Sequence, residues 1–506
     1  MRIVLRYSVH RSNHLFLKAY LTPHSTFHKK HSTKTVQLTT FNPPPCKISP
    51  LSVFIRQMNL KITDMKKVLF YGITMMAMSS LLLSCSSSED VVDLGTTKQV
   101  VNMVADPKPV QLTEAQRVFA NDNNKFTLNF LKTVNETDKS GKSFIYSPLS
   151  ITYVLGMVND AATGQTEQEL EQVLGFHEGG IQAVNDYCKN LIDNLPQVDN
   201  KVTLNIANAI FLNKRYTLKQ QFEKDMQNYY DAKAEALDFS SSSTLGRING
   251  WCSEKTKGMI PTILDEVDPR MMSYLLNAIY FKADWASKFD PKNTKEEQFQ
   301  MEKGSTKLPM MHQNVLIKYM KNDTYSAVEI PYGNGMWSMY VMLPEEGKTT
   351  NDVIDYLAQI GWGKDYIVGN KQYDVISPVY GSIPHEVDLK LPRFETSSDT
   401  NDVQDNLIGL LNKMGINLAF NPVLAEIPNM CEQPVHINMM RQKAKIKVNE
   451  EGSEAAAVTV AGMLTNAYIP TEPLKAIFHA NRPFVYVIRE ASSGIILFVG
   501  KFTGVL

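Results

Sequence analysis

The sequence predicts one large α+β domain. Helical and strand patterns mix without the regular alternation of a parallel α/β sheet, and residues 112–506 run on with no obvious linker or internal repeat. Order is expected to begin near Thr113, a helix N-cap with Glu114 close behind it. Val118, Phe119, Phe126, Phe130 and Leu131 then mark the apolar side of one or two helices. Val387, Leu389 and Leu391 alternate with Asp388 and Lys390, as in a half-buried strand, and Ala444, Ile446 and Val448 alternate with Lys445, Lys447 and Asn449 in the same way. Met336 to Leu343 is a largely apolar run behind a Gly333-Asn334-Gly335 turn. Near the C-terminus, Phe484–Ile488 and Ile495–Val499 flank Ser492-Ser493-Gly494, which predicts a hairpin with both strands largely buried.

The formal net charge of zero hides an uneven distribution. Residues 1–64 carry ten Lys or Arg, five His and a single acid, Asp64, whereas residues 85–506 carry 40 basic and 51 acidic side chains, a net charge of −11. An acidic body argues against nucleic acid as a partner. Residues 65–84 have the pattern of a secretory signal: Met65, then Lys66-Lys67, then an uncharged run from Val68 to Leu83. The run closes with Leu82-Leu83-Ser84-Cys85, which resembles a bacterial lipobox and implies lipidation of Cys85. A transmembrane helix is the competing reading; the span is short for a bilayer, and Ser-Ser-Ser-Glu-Asp (residues 86–90) follows at once. The expectation is therefore a start at Met65 or Met58, with residues 1–64 a mis-assigned upstream extension, against the alternative of an unusual basic extension. Residues 85–111 read as the lipidated Cys and a flexible tether.

The sequence carries no recognisable catalytic or metal-binding motif. HExxH, GxSxG and GxxxxGK[ST] are absent, and no GxGxxG follows a strand. His177, His312, His385, His436 and His479 lack metal-ligand spacing, and His312 reads as a hydrogen-bonded structural residue. Cys188, Cys252 and Cys431 form no CxxC and are an odd number, so buried thiols are expected rather than a disulfide framework. Neither a metal nor a cofactor is implied, and the chain is expected to act by binding rather than as an enzyme.

The most unusual stretch follows the strand that ends at Val448. Asn449, Glu450, Glu451 and Gly452 should break that strand, yet Ser453, Glu454, Ala455, Ala456, Ala457, Val458, Thr459 and Val460 are mostly small and can become strand again. Residues 448–457 closely resemble the hinge of inhibitory serpins. Further matches lie in the same order along the chain: Phe144-Ile145-Tyr146-Ser147-Pro148-Leu149-Ser150-Ile151, Asn277 to Trp285, Leu389-Lys390-Leu391-Pro392-Arg393-Phe394 and Asn481-Arg482-Pro483-Phe484. Over about residues 112–506 the chain is thus identified as a member of the serpin family. The resemblance implies a large central β-sheet with two further sheets, surrounding helices and an exposed reactive-centre loop.

What the resemblance implies for function is a suicide inhibitor. A target serine or cysteine protease would cut the loop and stay esterified to it while the loop inserts into the main sheet. The hinge would be Glu450 to Ala457, with Ser453, Ala455, Ala457 and Thr459 on one face by the period-two rule, the face that the resemblance implies turns inward. Insertion of on the order of 14 residues would yield roughly 10 kcal/mol or more from new backbone hydrogen bonds. Ser147, Pro148, Ser150, Asn277, Trp285 and Gln442 would control sheet opening. Serpins often carry a His where this chain has Gln442, so a cluster of Ser150, Asn277 and Gln442 is expected to work without titrating near neutrality. The scissile bond is expected near Asn466–Ala467, within Leu464, Thr465, Asn466, Ala467 and Tyr468. No Arg or Lys lies between Lys447 and Lys475, which favours elastase-, chymotrypsin-, subtilisin- or papain-like targets over trypsin-like ones. The expected setting is a monomer anchored by lipid in a bacterial outer membrane, periplasmic or at the cell surface. A non-inhibitory serpin acting as a binding or structural protein is the alternative.

Overall fold

The computed structural model describes residues 108–177, 179–361, 384–453 and 474–505, and the backbone of four short strands outside them. Two units are present, Met1–Thr97 and Lys98–Leu506. In the first, β1 (Ile3–Val9) and β2 (Leu15–Leu21) form an antiparallel hairpin with Ile3 opposite Leu21. The signal-like segment 65–84, Cys85 and the tether up to residue 107 lie outside the described residues.

The second unit carries the expected α+β architecture. Helix α1 (Glu114–Thr137) starts at a capping box in which Thr113 and Gln116 satisfy each other's backbone N–H groups. It is one helix, and it buries Phe119, Phe126, Phe130 and Leu131. Val118, read from the sequence as part of the apolar side, is instead 51% exposed. Val118 shares its helical row with Glu114, Asn121 and Lys125, all exposed, so it faces solvent. The chain continues through β3 (Phe144–Tyr146), α2 (Pro148–Ala161), α3 (Gly164–Leu174), α4 (Gly180–Asn194), β4 (Thr203–Asn213), α5 (Gln220–Tyr230), β5 (Lys233–Leu237), α6 (Ser243–Lys255) and β6 (Ser273–Asp284).

Next come β7 (Lys295–Gln300), β8 (Ser305–Lys321), β9 (Tyr325–Tyr332), β10 (Trp337–Pro344), α7 (Thr350–Ile360), a ribbon of β11 (Tyr366–Val368) and β12 (Lys371–Tyr373), then β13 (His385–Pro392), β14 (Phe394–Asp399) and α8 (Asn406–Met414). The last strands are β15 (Met440–Val448), β16 (Gly452–Ser453), β17 (Lys475–His479), β18 (Phe484–Glu490) and β19 (Ile496–Phe502). The expected alternations appear: Val387, Leu389 and Leu391 of β13 are buried, as are Ala444, Ile446 and Val448 of β15. The terminal hairpin is β18–β19, both strands fully buried.

The main sheet runs β14-β15-β6-β4-β5, with β16 against β6. The remaining large sheet runs β17-β13-β8-β9-β10-β18-β19-β3, with β7 also on β8. The two further sheets implied by the sequence resemblance are continuous here because β8 is 17 residues long. Its Met310–Ile317 stretch pairs with β13, and Lys318–Lys321 pairs with β9. The main sheet is covered on one side by α6, whose Ile248, Trp251 and Cys252 pack with Ala207, Phe211, Tyr274 and Leu276. The larger core, which includes nearly all of α2, packs with β6 residues Leu275 and Ile279, the alternates of those facing α6.

Candidate functional site: the open main sheet and the hinge seated in it

The main sheet is not closed along its length. β15 and β6 are parallel, but their register covers only Met440–Lys443 against Leu275–Ala278. Both strands continue, β15 to Val448 and β6 to Asp284. At the far end the chain turns back on itself and enters between them. Gly452 and Ser453 pair antiparallel with Asp284 and Ala283 of β6.

The reversal is built from local chemistry. Asn449 Oδ1 accepts from the backbone N–H of Glu451 (3.0 Å) and of Gly452 (3.2 Å), as a side-chain-stabilised turn does. Gly452 has φ of 145°, and a Cβ there would stand 2.2 Å from the Ala283 carbonyl oxygen. Only glycine fits. Ser453 points inward and is buried, as the resemblance implied.

Five side chains hold this turn. Trp285 donates Nε1–H to Asn449 O at 2.9 Å and its backbone N–H to Glu451 O at 2.9 Å. Tyr332 stacks on the Trp285 indole, and its hydroxyl lies 3.0 Å from Ser453 Oγ. Burial pushes the Tyr332 phenol well above its ordinary range, so it stays neutral. Glu450 is buried and accepts from Arg393 Nε at 3.1 Å and Thr294 Oγ1 at 2.6 Å. Burial works to raise its carboxyl, but Arg393 and Thr294 outweigh that and hold it below the usual glutamate value. Glu451 pairs with Lys288, which also lies 3.6 Å from Asp284.

A second polar cluster lies lower in the sheet. Ser147 caps α2 in extended conformation with Pro148 in the first helical turn, where proline's missing N–H costs nothing. Ser147 Oγ donates to Leu497 O at 2.7 Å and lies 3.1 Å from Ser150 Oγ. Gln442 accepts from Ser147 N–H at 3.0 Å and donates to Ser147 O at 2.8 Å. All three side chains are fully buried.

The structure regroups the residues expected to act together. Gln442 and Asn277 are directly opposite in the ladder, but Gln442 spends its donor and acceptor on the Ser147 backbone. Asn277 turns to the other side and donates to Asn208 Oδ1 at 2.8 Å, leaving its own Oδ1 buried without a hydrogen-bond partner. The single cluster of Ser150, Asn277 and Gln442 is therefore divided into two groups, Ser147 with Ser150 and Gln442, and Asn277 with Asn208, and neither includes an imidazole.

Of the hinge residues, Glu450, Glu451, Gly452 and Ser453 are placed at the sheet top. Glu454, Ala455, Ala456 and Ala457, and the scissile region Leu464, Thr465, Asn466, Ala467 and Tyr468, lie outside the described residues. Sequence reasoning missed Tyr332, Asn208, Thr294 and Lys288, and quoted Arg393 without a role. The one available signal for Tyr332 was its place just ahead of the Gly333–Gly335 turn. The three thiols are free and buried, as expected, and burial pushes Cys188 and Cys252 up to about 12 and Cys431 up to about 11.

Comparison with known proteins agrees with this geometry. The family model Serpin (serine protease inhibitor) matches residues 121–504. Serpin B6 of Pongo abelii is 30% identical over 401 residues, covering 76% of this chain and 99% of its own. Among solved structures, Serpin48 of the insect Tenebrio molitor superposes with a TM-score of 0.64 at 26% identity, over 78% of this chain and 99% of that one. Human thyroxine-binding globulin complexed with thyroxine gives a TM-score of 0.63 at 25% identity, over 76% and 98%. The extent of the family match, together with a turned-back hinge at the mouth of a half-open main sheet, makes the chain a member of the serpin family.

Proposed function

We propose that this serpin is inhibitory, a single-use trap for a serine or cysteine protease. The protease cuts within residues 464–468, remains esterified to the new chain end, and is disabled when the cut loop enters the main sheet between β6 and β15. The serpin contributes no catalytic residue. The observation that supports this most is the seated hinge: Gly452 and Ser453 already make the first rungs of the incoming strand, while β15 and β6 share a ladder only at their other end. Each further rung is worth about 0.5–1.5 kcal/mol, so insertion runs downhill once the loop is cut. The small side chains at Ala455 and Ala457 suit the inward positions that follow Ser453.

The absence of Arg and Lys from residues 448–474 favours elastase-, chymotrypsin-, subtilisin- or papain-like targets. For location we propose lipid attachment at Cys85, placing a monomer on the periplasmic or outer face of a bacterial outer membrane. Radiolabelled palmitate should enter the natural protein and not its Cys85→Ala variant; equal labelling of both would sink the anchor.

The deciding experiment is incubation of the purified protein with a panel of these proteases, followed by denaturing gels and mass spectrometry. A complex that survives boiling, with one released C-terminal peptide, is expected. Clean cleavage with no complex across the panel, and no gain in unfolding temperature afterwards, would instead favour a non-inhibitory binding protein.

A further inference from the structure

A hydrogen-bonded chain runs from the end of α2 to the main sheet. Asp160 lies half-buried in the last turn of α2 and accepts from Asn185 Nδ2 of α4 at 2.6 Å. Asn185 Oδ1 in turn accepts from the hydroxyl of Tyr230, the last residue of α5, at 2.6 Å. The Tyr230 carbonyl accepts from Asn208 Nδ2 of β4 at 3.3 Å, and Asn208 Oδ1 accepts from Asn277 Nδ2 of β6 at 2.8 Å. Asn185, Tyr230, Asn208 and Asn277 are each at most 3% exposed, so these links replace water that does not reach them. Gly156 lets α2 come this close, since a Cβ there would stand 2.9 Å from the Tyr230 hydroxyl oxygen. At its first turn the same helix is held to β15 through Ser147 and Gln442. One end of α2 is therefore tied to β15 and the other to the β4–β6 pair, the two sides of the gap that Ser453 enters.

Asp160 carries the charge at the outer end of this chain, and the charged group that acts on it is another acid, Asp225 of α5. Asp225 is itself held by Gln221 Nε2, 3.0 Å from each carboxylate oxygen. On α4, the exposed Asp186 accepts from Gln182 Nε2 at 2.9 Å, and burial keeps the Cys188 thiol neutral. On α3, Glu171 answers to Glu167 and His177, and beyond the end of α2 Glu426 is taken by the backbone N–H of Gln165. Burial also keeps the Tyr230 phenol neutral. Burial pushes the Asp160 carboxyl up to about 6; the Asn185 amide works against this, and Asp225 adds to it. The last turn of a helix, with its carbonyl end, disfavours negative charge for a separate reason. A protonated Asp160 keeps the Asn185 bond and escapes both repulsions.

We propose that Asp160 is a proton-controlled anchor: protonated, it lets α2 and α4 hold α5, and through Tyr230 the strand β4, more firmly than when ionised. Because folding raises this carboxyl, the stabilisation it gives is fully present below about pH 3.9, the unfolded value. It is lost as pH rises through about 6, so the anchor is weakest at neutral pH. If the inhibitory reading holds, parting β6 from β15 works against this anchor, and a cut loop would enter more slowly near pH 5 than near pH 7.5. That consequence alone rests on the inhibitory reading.

Hydrogen exchange of the full chain at pH 5 and pH 7.5, corrected for intrinsic rates, reads the anchor without any protease. The peptide spanning β4 is compared with that spanning β10. Relative protection of β4 should be about three- to tenfold greater at pH 5, tenfold being what one unit of titration allows. Asp160→Asn keeps the amide contact and removes the charge, so it should show the acid level at both pH values. Tyr230→Phe breaks the chain between α4 and α5 and should cancel the response of β4. No pH difference in the unmodified protein, an unchanged difference in Asp160→Asn, or an unchanged β4 response in Tyr230→Phe overturns the proposal. Failure to trap any protease would leave these exchange results as they are, so the two readings fail separately.

Discussion

Trp285 and Tyr332 stack face to face, with ring centroids 4.4 Å apart and planes 9° from parallel, and each also bonds the hinge, Trp285 to Asn449 O and Tyr332 to Ser453 Oγ. The pair is a floor on which the turned-back chain rests. Tyr332→Phe keeps the stack but strips Ser453 of its buried partner. It should lower stability by about 1 kcal/mol and raise the rate of proteolytic nicking at the hinge. Trp285→Ala removes the floor as well and should cost about 3–5 kcal/mol. Urea unfolding and limited proteolysis check both. Hinge nicking in Tyr332→Phe at the unmodified rate would mean that the hydroxyl contact does not hold the hinge.

Gln442 joins β15 to the start of α2 through both backbone groups of Ser147. Gln442→Ala leaves a buried N–H and a buried C=O without this partner, each worth about 1–3 kcal/mol. A loss of about 2–5 kcal/mol in urea unfolding is expected on that basis. Because the amide does not titrate, this cluster adds no pH dependence between pH 6 and 8, whereas Gln442→His should introduce a loss of stability on acidification, as a buried imidazole is made to charge. A flat profile in Gln442→His would show that water reaches the site.

Glu450 gives the acid limb of stability a definite sign. Its folded carboxyl is held below the usual glutamate value, so the stabilisation is fully present above about pH 4.3, the unfolded value, and is lost as pH falls through the folded value. Glu450→Gln should be less stable than the unmodified protein at pH 7 and should show a shallower decline below pH 4.5. Urea midpoints from pH 3 to 7 measure this; parallel acid limbs in the two proteins would remove Glu450 from the account.

How far the sequence could be read follows from which contacts are local. The α1 start at Thr113, the β13 and β15 alternations and the terminal hairpin rest on neighbouring residues, and all appear in the structure. The inward seat of Ser453 came from the family resemblance, with strand periodicity placing Ala455 and Ala457 on the same face. Tyr332 could not be found this way. It lies 47 residues from Trp285 and 121 from Ser453, and only the fold brings them together. The same holds for Asn208, 69 residues before Asn277, and for the division of the expected Ser150, Asn277 and Gln442 cluster into two groups. Motif resemblance located the residues around sheet opening, whereas their hydrogen-bond partners depended on side-chain length and donor-acceptor matching.

Ser453 offers the sharpest test of the proposed mechanism, since its side chain already occupies the path of an inserting strand. Ser453→Glu would place an unpaired carboxylate beside Tyr332 in the interior, at a cost of several kcal/mol. The hinge should then be expelled, and a target protease should cut the loop and depart. Cleavage would continue, the boiling-resistant complex would fall away, and the cut protein would gain no unfolding temperature. Ser453→Ala keeps a small inward side chain and should still trap. Gly452→Ala should behave like Ser453→Glu for a different reason, because its Cβ meets the Ala283 carbonyl at 2.2 Å. A Ser453→Glu protein that forms complex as well as the unmodified one would show that the strand does not enter past this position, and insertion between β6 and β15 would have to be abandoned.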